Sequence, residues 1–380
     1  MRRCFFIFNL AVFFGGQSPE SDISIITGLL TLNSIDRQKY NPIPVFIDKK
    51  GRFWHGEELR DIRFYKTPDY SHLQELFFIP GQSCLCYQKR GRIVKIPMYC
   101  AINCMHGRGG EDGTIVGLFR LCSTPFVSPD IFASALAMDK DFTKVALTAM
   151  NIPTLPSIRV KRKNFFEKSG CYLKYLSKKL NFPMIIKPAR LGSSIGIKCV
   201  YNENELHTAL CEGFNYDDKI ICEKYLTQSR DLNCAVYKKG DEIILSDIEE
   251  AIKNKELLSF EDKYGGSDKA VGNNRTKVLD LDEKIKNEVK KYSKEIYKRL
   301  DFSSIVRFDY LLQGEKVYLN EINAVPGSMA YYLFCEKFSH FSNLIEELVF
   351  DALERKRVED NYLTTFESSV LQGDFKGVKK

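Results

Sequence analysis

Residues 305–334 read IVRFDYLLQGEKVYLNEINAVPGSMAYYLF, and no other stretch restricts the fold as tightly. Two runs of alternating residues flank Gln313-Gly314-Glu315, a pattern that predicts two antiparallel strands joined by a short glycine-containing turn. Side chains two apart on a strand share a face. Arg307 and Asp309 therefore project together, as do Glu321 and Asn323, and pairing the strands gathers Asp309, Glu321 and Asn323 beside Arg307. Oxygen donors of this kind suit a hard cation such as Mg²⁺, which meets protein through one or two carboxylates and keeps the rest of its shell for water or phosphate. The same residues are also compatible with a surface hairpin of scattered charge. The Pro326-Gly327 turn that follows favours a site, because it presents backbone N–H groups where negative charge could be held.

Composition narrows the classes. A chain of 380 residues with 44% hydrophobic content has apolar material for two or three cores. The net charge of +7 is spread among interleaved acids, without the basic clustering or interleaved aromatics of a nucleic-acid face. No stretch approaches 18 apolar residues, so no membrane span is expected. The 12 cysteines are scattered with no C-x-x-C pair, which predicts reduced, mostly buried thiols. Arg2-Arg3 and the apolar run after them look like the start of a leader. That run ends in Gly15-Gly16-Gln17-Ser18 with no small-x-small site, so Leu10–Phe14 reads instead as a buried first strand.

From there the chain alternates strand and helix signals. A helix starts near Asp22, a strand spans Pro42–Ile47, and a single strand is expected over Val94–Met105. Such alternation predicts a doubly wound α/β sheet with ligands at loops beyond the strand ends. Two Gly-rich loops, 15–24 and 106–113, stand at such places. Neither is G-x-G-x-x-G, which disfavours a dinucleotide site. His106, in the second loop, reads by itself as a structural histidine ahead of a binding one, since a lone His carries no motif. Residues 131–150 have helical periodicity up to Asn151-Ile152-Pro153, a helix stop. Met184–Pro188 reads as an apolar strand containing Lys187. The Gly/Ser loop Leu191–Gly196 after it could cradle phosphates or be an ordinary turn. Residues 219–226 form a strand bearing Glu223, and Asp231–Val236 is expected to pair with it. The polar stretch 259–276 reads as a long lid-like loop, Glu283–Arg299 as an amphipathic helix, and 354–380 as a closing helix and frayed tail.

Taken together, FFGGQSPESDIS, HGRGGEDGTIVG, ALAMDKDFTK, IIKPARLGSSIGI, EDKY and LNEINAVPGS resemble, in order, the signatures of the D-alanine–D-alanine ligases, members of the ATP-grasp superfamily. The resemblance covers roughly residues 10–350. It implies an N-terminal doubly wound parallel sheet (1–128), a two-subdomain ATP-grasp fold (129–221 and 222–353) and a tail (354–380). It implies an enzyme that joins two D-alanines at the expense of ATP for peptidoglycan precursors, in the cytoplasm and as a homodimer. Asp309, Glu321 and Asn323 would hold two Mg²⁺ ions, or Mn²⁺ in their place. Lys140, Lys187 and Lys263 would contact the ATP phosphates. Glu223 and the backbone of Tyr225 and Leu226 would anchor adenine, with Asp231 at the ribose. Glu20 would bind the first D-alanine's ammonium near His106. Ser193 and Tyr264 would link to Glu20 in a triad, and Arg307 with Gly327 would face the oxyanion. The second substrate's carboxylate would lie near the loop from Gly327 through Tyr332 to Leu333. Tyr332 stands where many members have Ser, and Asp231 where Glu is commoner. A D-alanine–D-lactate or D-alanine–D-serine ligase, and an inactive ATP-binding regulator, are the alternatives to weigh.

Overall fold

The computed structural model describes residues 8–251 and 280–368, together with the backbone of 275–277. The first apolar run is strand β1 (Phe8–Gly15), followed by helix α1 (Ser21–Ser34) and β2 (Tyr40–Ile47), which runs parallel to β1. Short strands β3 (Phe53–His55) and β4 (Gln74–Leu76) add antiparallel edges. After a separate hairpin of β5 (Cys84–Lys89) and β6 (Arg92–Pro97), β7 (Cys100–Asn103) returns beside β1. Helix α2 (Thr114–Leu121) and strand β8 (Phe126–Val127) complete a sheet ordered β4-β3-β2-β1-β7-β8. Alternation along β1 explains why both faces are covered. Leu10, Val12 and Phe14 pack with α1 and the closing helix Phe341–Glu359, whereas Ala11 and Phe13 pack with α2.

The expected single strand over Val94–Met105 is two. β6 lies in the exposed hairpin, and β7 is buried at all four positions. Pro97 supplies no ladder donor, and the N–H groups of Met98 and Tyr99 go to Ser83 O and Asn9 O instead.

The periodic segment 131–150 is also divided, into α3 (Ile131–Met138) and α4 (Lys140–Ala149). Asp139 between them has extended backbone. Its carboxylate accepts from the N–H groups of Asp141 and Phe142 at 3.1 and 3.2 Å, an N-cap that restarts the helix.

An antiparallel sheet follows, ordered β11 (Lys198–Val200), β10 (Met184–Pro188), β12 (Lys219–Lys224), β9 (Ser157–Lys161). A second antiparallel sheet contains β13 (Arg230–Lys239), β14 (Glu242–Leu245), β15 (Glu249–Ala251), β16 (Arg275–Lys277), β17 (Val306–Gln313) and β18 (Lys316–Asn323), in the order β16-β15-β13-β17-β18 with β14 on β13. The expected pairing of Asp231–Val236 with the Glu223 strand does not occur. Both edges of β12 are taken by β10 and β9, so the chain crosses at 225–229 into the other sheet, where β13 pairs with β17. The helix Glu283–Arg299 lies over that sheet through Ile285, Val289, Ile296 and Tyr297. In the closing segment the helix begins well before residue 354, at Phe341, and ends at Glu359.

Candidate active site

The hairpin forms with the expected register: Arg307 lies opposite Asn323, and Asp309 opposite Glu321. Arg307 donates from Nε and Nη2 to the two Asp309 oxygens at 2.7 and 2.8 Å, and Asn323 Nδ2 donates to Asp309 Oδ2 at 2.9 Å. One feature departs from strict alternation. The register shifts after Asp309, so that Tyr310 pairs with Leu319 and Asn320 is left over as a bulge. A bulged residue re-aims its side chain, and Asn320 Oδ1 accepts from Lys187 Nζ at 2.9 Å across the cleft.

Glu20 stands immediately before α1, where the helix N-terminus favours negative charge. It is 4% exposed and accepts a short hydrogen bond from Ser193 Oγ. Ser193 and Ser194 both have left-handed backbone, φ 52° and 60°, which curls the Gly/Ser loop over the carboxylate. The glycine there is required by close approach: a Cβ on Gly192 would lie 2.8 Å from Glu20 Oε1. His106 is buried, and its Nε2 lies 2.9 Å from Thr27 Oγ1. Thr27 Oγ1 in turn accepts from the N–H of Ser328 at 3.0 Å. The imidazole thus sits behind the Gly327 loop, where Ser328, Met329 and Ala330 are all left-handed. Tyr332 reaches the site directly, its hydroxyl accepting from Arg307 Nη1 at 3.1 Å, while Leu333 packs into the core.

Between the two antiparallel sheets, Glu223 is 2% exposed and ion-paired on both oxygens, to Lys144 at 2.7 Å and Lys187 at 2.6 Å. The backbone N–H of Tyr225 is engaged by Pro183 O at 3.1 Å; Leu226 is buried. Asp231 lies two residues before Asn233, which is opposite Asp309, so both point to the hairpin's functional face. Lys140 donates to Leu191 O at 2.7 Å and pairs with Glu321 at 2.9 Å. Lys263 and Tyr264 fall outside the described residues.

The chain matches the family model described as D-ala D-ala ligase N-terminus over residues 9–129 and the one described as D-ala D-ala ligase C-terminus over 146–350. The chain belongs to the D-alanine–D-alanine ligase family. It is 35% identical over 355 residues to the D-alanine–D-alanine ligase of Thermosipho africanus, covering 91% of this chain and 93% of that one. It is 36% identical to a D-alanine–D-alanine ligase of Campylobacter jejuni, with 93% and 96% covered. The crystal structure of the Helicobacter pylori D-alanine–D-alanine ligase superposes with a TM-score of 0.75 at 27% identity, covering 90% of this chain and 98% of that one. The ATP-grasp architecture comes with that family.

In this family member, electrostatics binds the cleft walls together. Burial would raise the Glu223 carboxyl, but the Lys187 and Lys144 ammoniums outweigh it and hold the group down at about 2. Burial would lower Lys140, but Glu321, then Glu20 and Glu111, raise it above the usual lysine value. Burial pushes His106 down to about 4, helped by the nearby Arg307 charge, so the ring is neutral at pH 7. Burial, with Glu20 and Glu321 as neighbours, pushes Glu111 up to about 8. Glu111 accepts from the N–H groups of Gly107 and Val325 and so ties the second Gly-rich loop to the end of the hairpin. Sequence reasoning assigned no role to Lys144, Asn320, Thr27 or Glu111. Lys144 had a signal, since it lies one helical turn after Lys140. Asn320 had none, because alternation placed it on the opposite face.

Proposed function

We propose that the chain is an ATP-dependent ligase joining two D-alanines to D-alanyl-D-alanine through an acyl phosphate, for peptidoglycan precursors. The observation that carries this reading is that Ser193–Glu20 and Lys140–Glu321 bring the N-terminal loop, the Gly/Ser loop and the hairpin carboxylates to one cleft. Glu20 receives the ammonium of the first D-alanine. Lys140 and Lys187, with Lys263 from the segment beyond, hold the phosphates. Glu223 with the Tyr225–Leu226 backbone anchors adenine, and Asp231 the ribose.

A carboxylate does not react with an amine until one of its oxygens becomes a leaving group. Transfer of the terminal phosphoryl to the first D-alanine accomplishes this, and the protein's part is placement and charge. The deprotonated amine of the second D-alanine then attacks the carbonyl, and phosphate leaves with the oxygen that the carboxylate gave up. The tetrahedral oxyanion faces Arg307 and the N–H of Gly327. The second substrate's carboxylate lies toward Tyr332 and Leu333, with His106 buttressing the loop from behind.

The oxygen-only set Asp309, Glu321 and Asn323 fits Mg²⁺ ions, or Mn²⁺. With two carboxylates and one amide oxygen from the protein, such an ion would complete its shell on nucleotide phosphates and water. Bound Mg²⁺ supplies positive charge to the phosphate oxygens. Arg307 and Lys140 also bring positive charge to Asp309 and Glu321.

The reading includes the 1–128 substrate unit, a homodimer and a cytoplasmic setting, supported by family membership; no helix among the described residues is long and apolar enough to cross a membrane. A heavy-oxygen label in the D-alanine carboxylate tests the chemistry. The label should appear in released phosphate, one atom per dipeptide; phosphate without label would contradict an acyl phosphate.

A further inference from the structure

Glu223 is held by two ammonium groups, although one suffices to neutralise it. Lys187, on β10, serves two partners: Glu223 Oε2 at 2.6 Å and the bulged Asn320 at 2.9 Å on the facing sheet. Lys144, on α4, serves Glu223 Oε1 at 2.7 Å and the Leu155 carbonyl at 3.0 Å, in the segment that leads from α4 into β9. Lys187 therefore has one partner on each of the two facing sheets, and Glu223 is the carboxylate that Lys144 holds. Lys140 and Lys144, four apart on α4, share one helix face and each hold a carboxylate, Glu321 and Glu223 respectively.

We infer that Lys144 is a positioning residue for the nucleotide base: it fixes the Glu223 carboxylate, oriented and ionised, so that Lys187 can leave it for the phosphates. The inference rests on the reading of Glu223 as the adenine anchor. A buried carboxylate that loses its counter-charge protonates or moves. Either change would spoil an acceptor for the exocyclic amine of adenine, where guanine carries a carbonyl oxygen that a carboxylate repels. With Lys144 in place, the transfer of Lys187 from Glu223 to phosphate leaves no unpaired charge behind. Burial holds the Lys144 ammonium itself below the usual lysine value, and Glu223, the carboxylate it holds, works against that.

The test uses the full chain and compares five proteins: native, Lys144→Met, Glu223→Gln, the double variant and Lys144→Arg as the conservative control. Steady-state constants are measured for ATP, GTP and D-alanine. Lys144→Met should raise the KM for ATP by about tenfold, the scale of removing an orienting partner behind a ligand. The KM for D-alanine should stay within about twofold, and the preference for ATP over GTP should narrow. Lys144→Arg should restore most of both.

In the Glu223→Gln background, where no buried carboxylate remains to be neutralised, adding Lys144→Met should change the KM for ATP by less than about twofold. This arm still decides the matter if the single Lys144→Met variant does not fold. A further tenfold loss in the double variant, or an unchanged ATP KM in Lys144→Met with Glu223→Gln impaired, overturns the inference while leaving the adenine anchor standing. An unchanged ATP KM and base preference in Glu223→Gln itself overturns the anchor, and the inference with it.

Discussion

The Arg307 guanidinium donates from Nε and Nη2 to the Asp309 carboxylate and from Nη1 to the Tyr332 hydroxyl. Its planar fork suits that task as an ammonium would not. If it also faces the oxyanion, Arg307→Ala should lower kcat by roughly 10²–10³, or about 2.7–4 kcal/mol, with the KM for ATP little changed. Steady-state kinetics checks this, and a variant that loses only ATP affinity would make Arg307 a ground-state phosphate contact. His106 gives a second residue-scale expectation. Its folded-state value, about 4, lies below the ordinary 6.5, so between those values the unfolded chain binds a proton that the folded chain does not. This contribution to stability is present above pH 6.5 and is lost as pH falls, by about 1.4 kcal/mol per pH unit. Urea unfolding of the ligand-free protein at pH 7 and pH 5 should show the native chain losing about 2 kcal/mol more than His106→Gln. Equal losses would place the imidazole in contact with solvent.

The elements show where a sequence pattern stops being informative. The hairpin was legible because alternation and a glycine turn are local properties, and Arg307, Asp309, Glu321 and Asn323 stand where that pattern puts them. The bulge at Asn320 was not legible, because it is a property of strand pairing; its signal is the contact to Lys187 on another sheet. The break between α3 and α4 is intermediate. Periodicity runs through residues 131–150, yet Asp139 is a capping residue type whose second role needed the fold. Its carboxylate holds Lys219 Nζ at 2.7 and 2.5 Å, with both side chains buried. Asp139→Ala removes a cap worth about 1 kcal/mol and breaks a buried ion pair, a loss of about 3–5 kcal/mol where the partner is left uncompensated and less here, because Asp141 lies 3.4 Å from the same Lys219 ammonium. Asp139→Asn keeps the cap and should be the milder of the two by thermal unfolding. Equal losses would mean that the cap contributes nothing beyond the ion pair.

On the scale of the whole molecule, ion pairs and short polar contacts join three sheets that periodicity could only list. The N-terminal sheet was legible from its βα alternation, and its faces were closed by a helix 300 residues downstream that composition could not place. The partner of β13 is not legible in the sequence, because strand adjacency along the chain does not reveal which edges are already occupied. The cleft these sheets enclose is predicted to depend on Glu321, which faces Asp309 and binds Lys140. Glu321→Gln should abolish turnover while circular dichroism and thermal unfolding stay near native; activity at the native level with Mg²⁺ present would remove it from the metal site. The joining of two D-alanines by this chain is read out by product analysis. Purified protein with ATP, Mg²⁺ and D-alanine, alone or mixed with D-lactate or D-serine, is followed by mass spectrometry alongside ADP release. D-alanyl-D-alanine is expected as the main product in every mixture, with one ADP formed per dipeptide. ADP release without any dipeptide, or a mixed D-lactate or D-serine product in excess of the dipeptide, would contradict it.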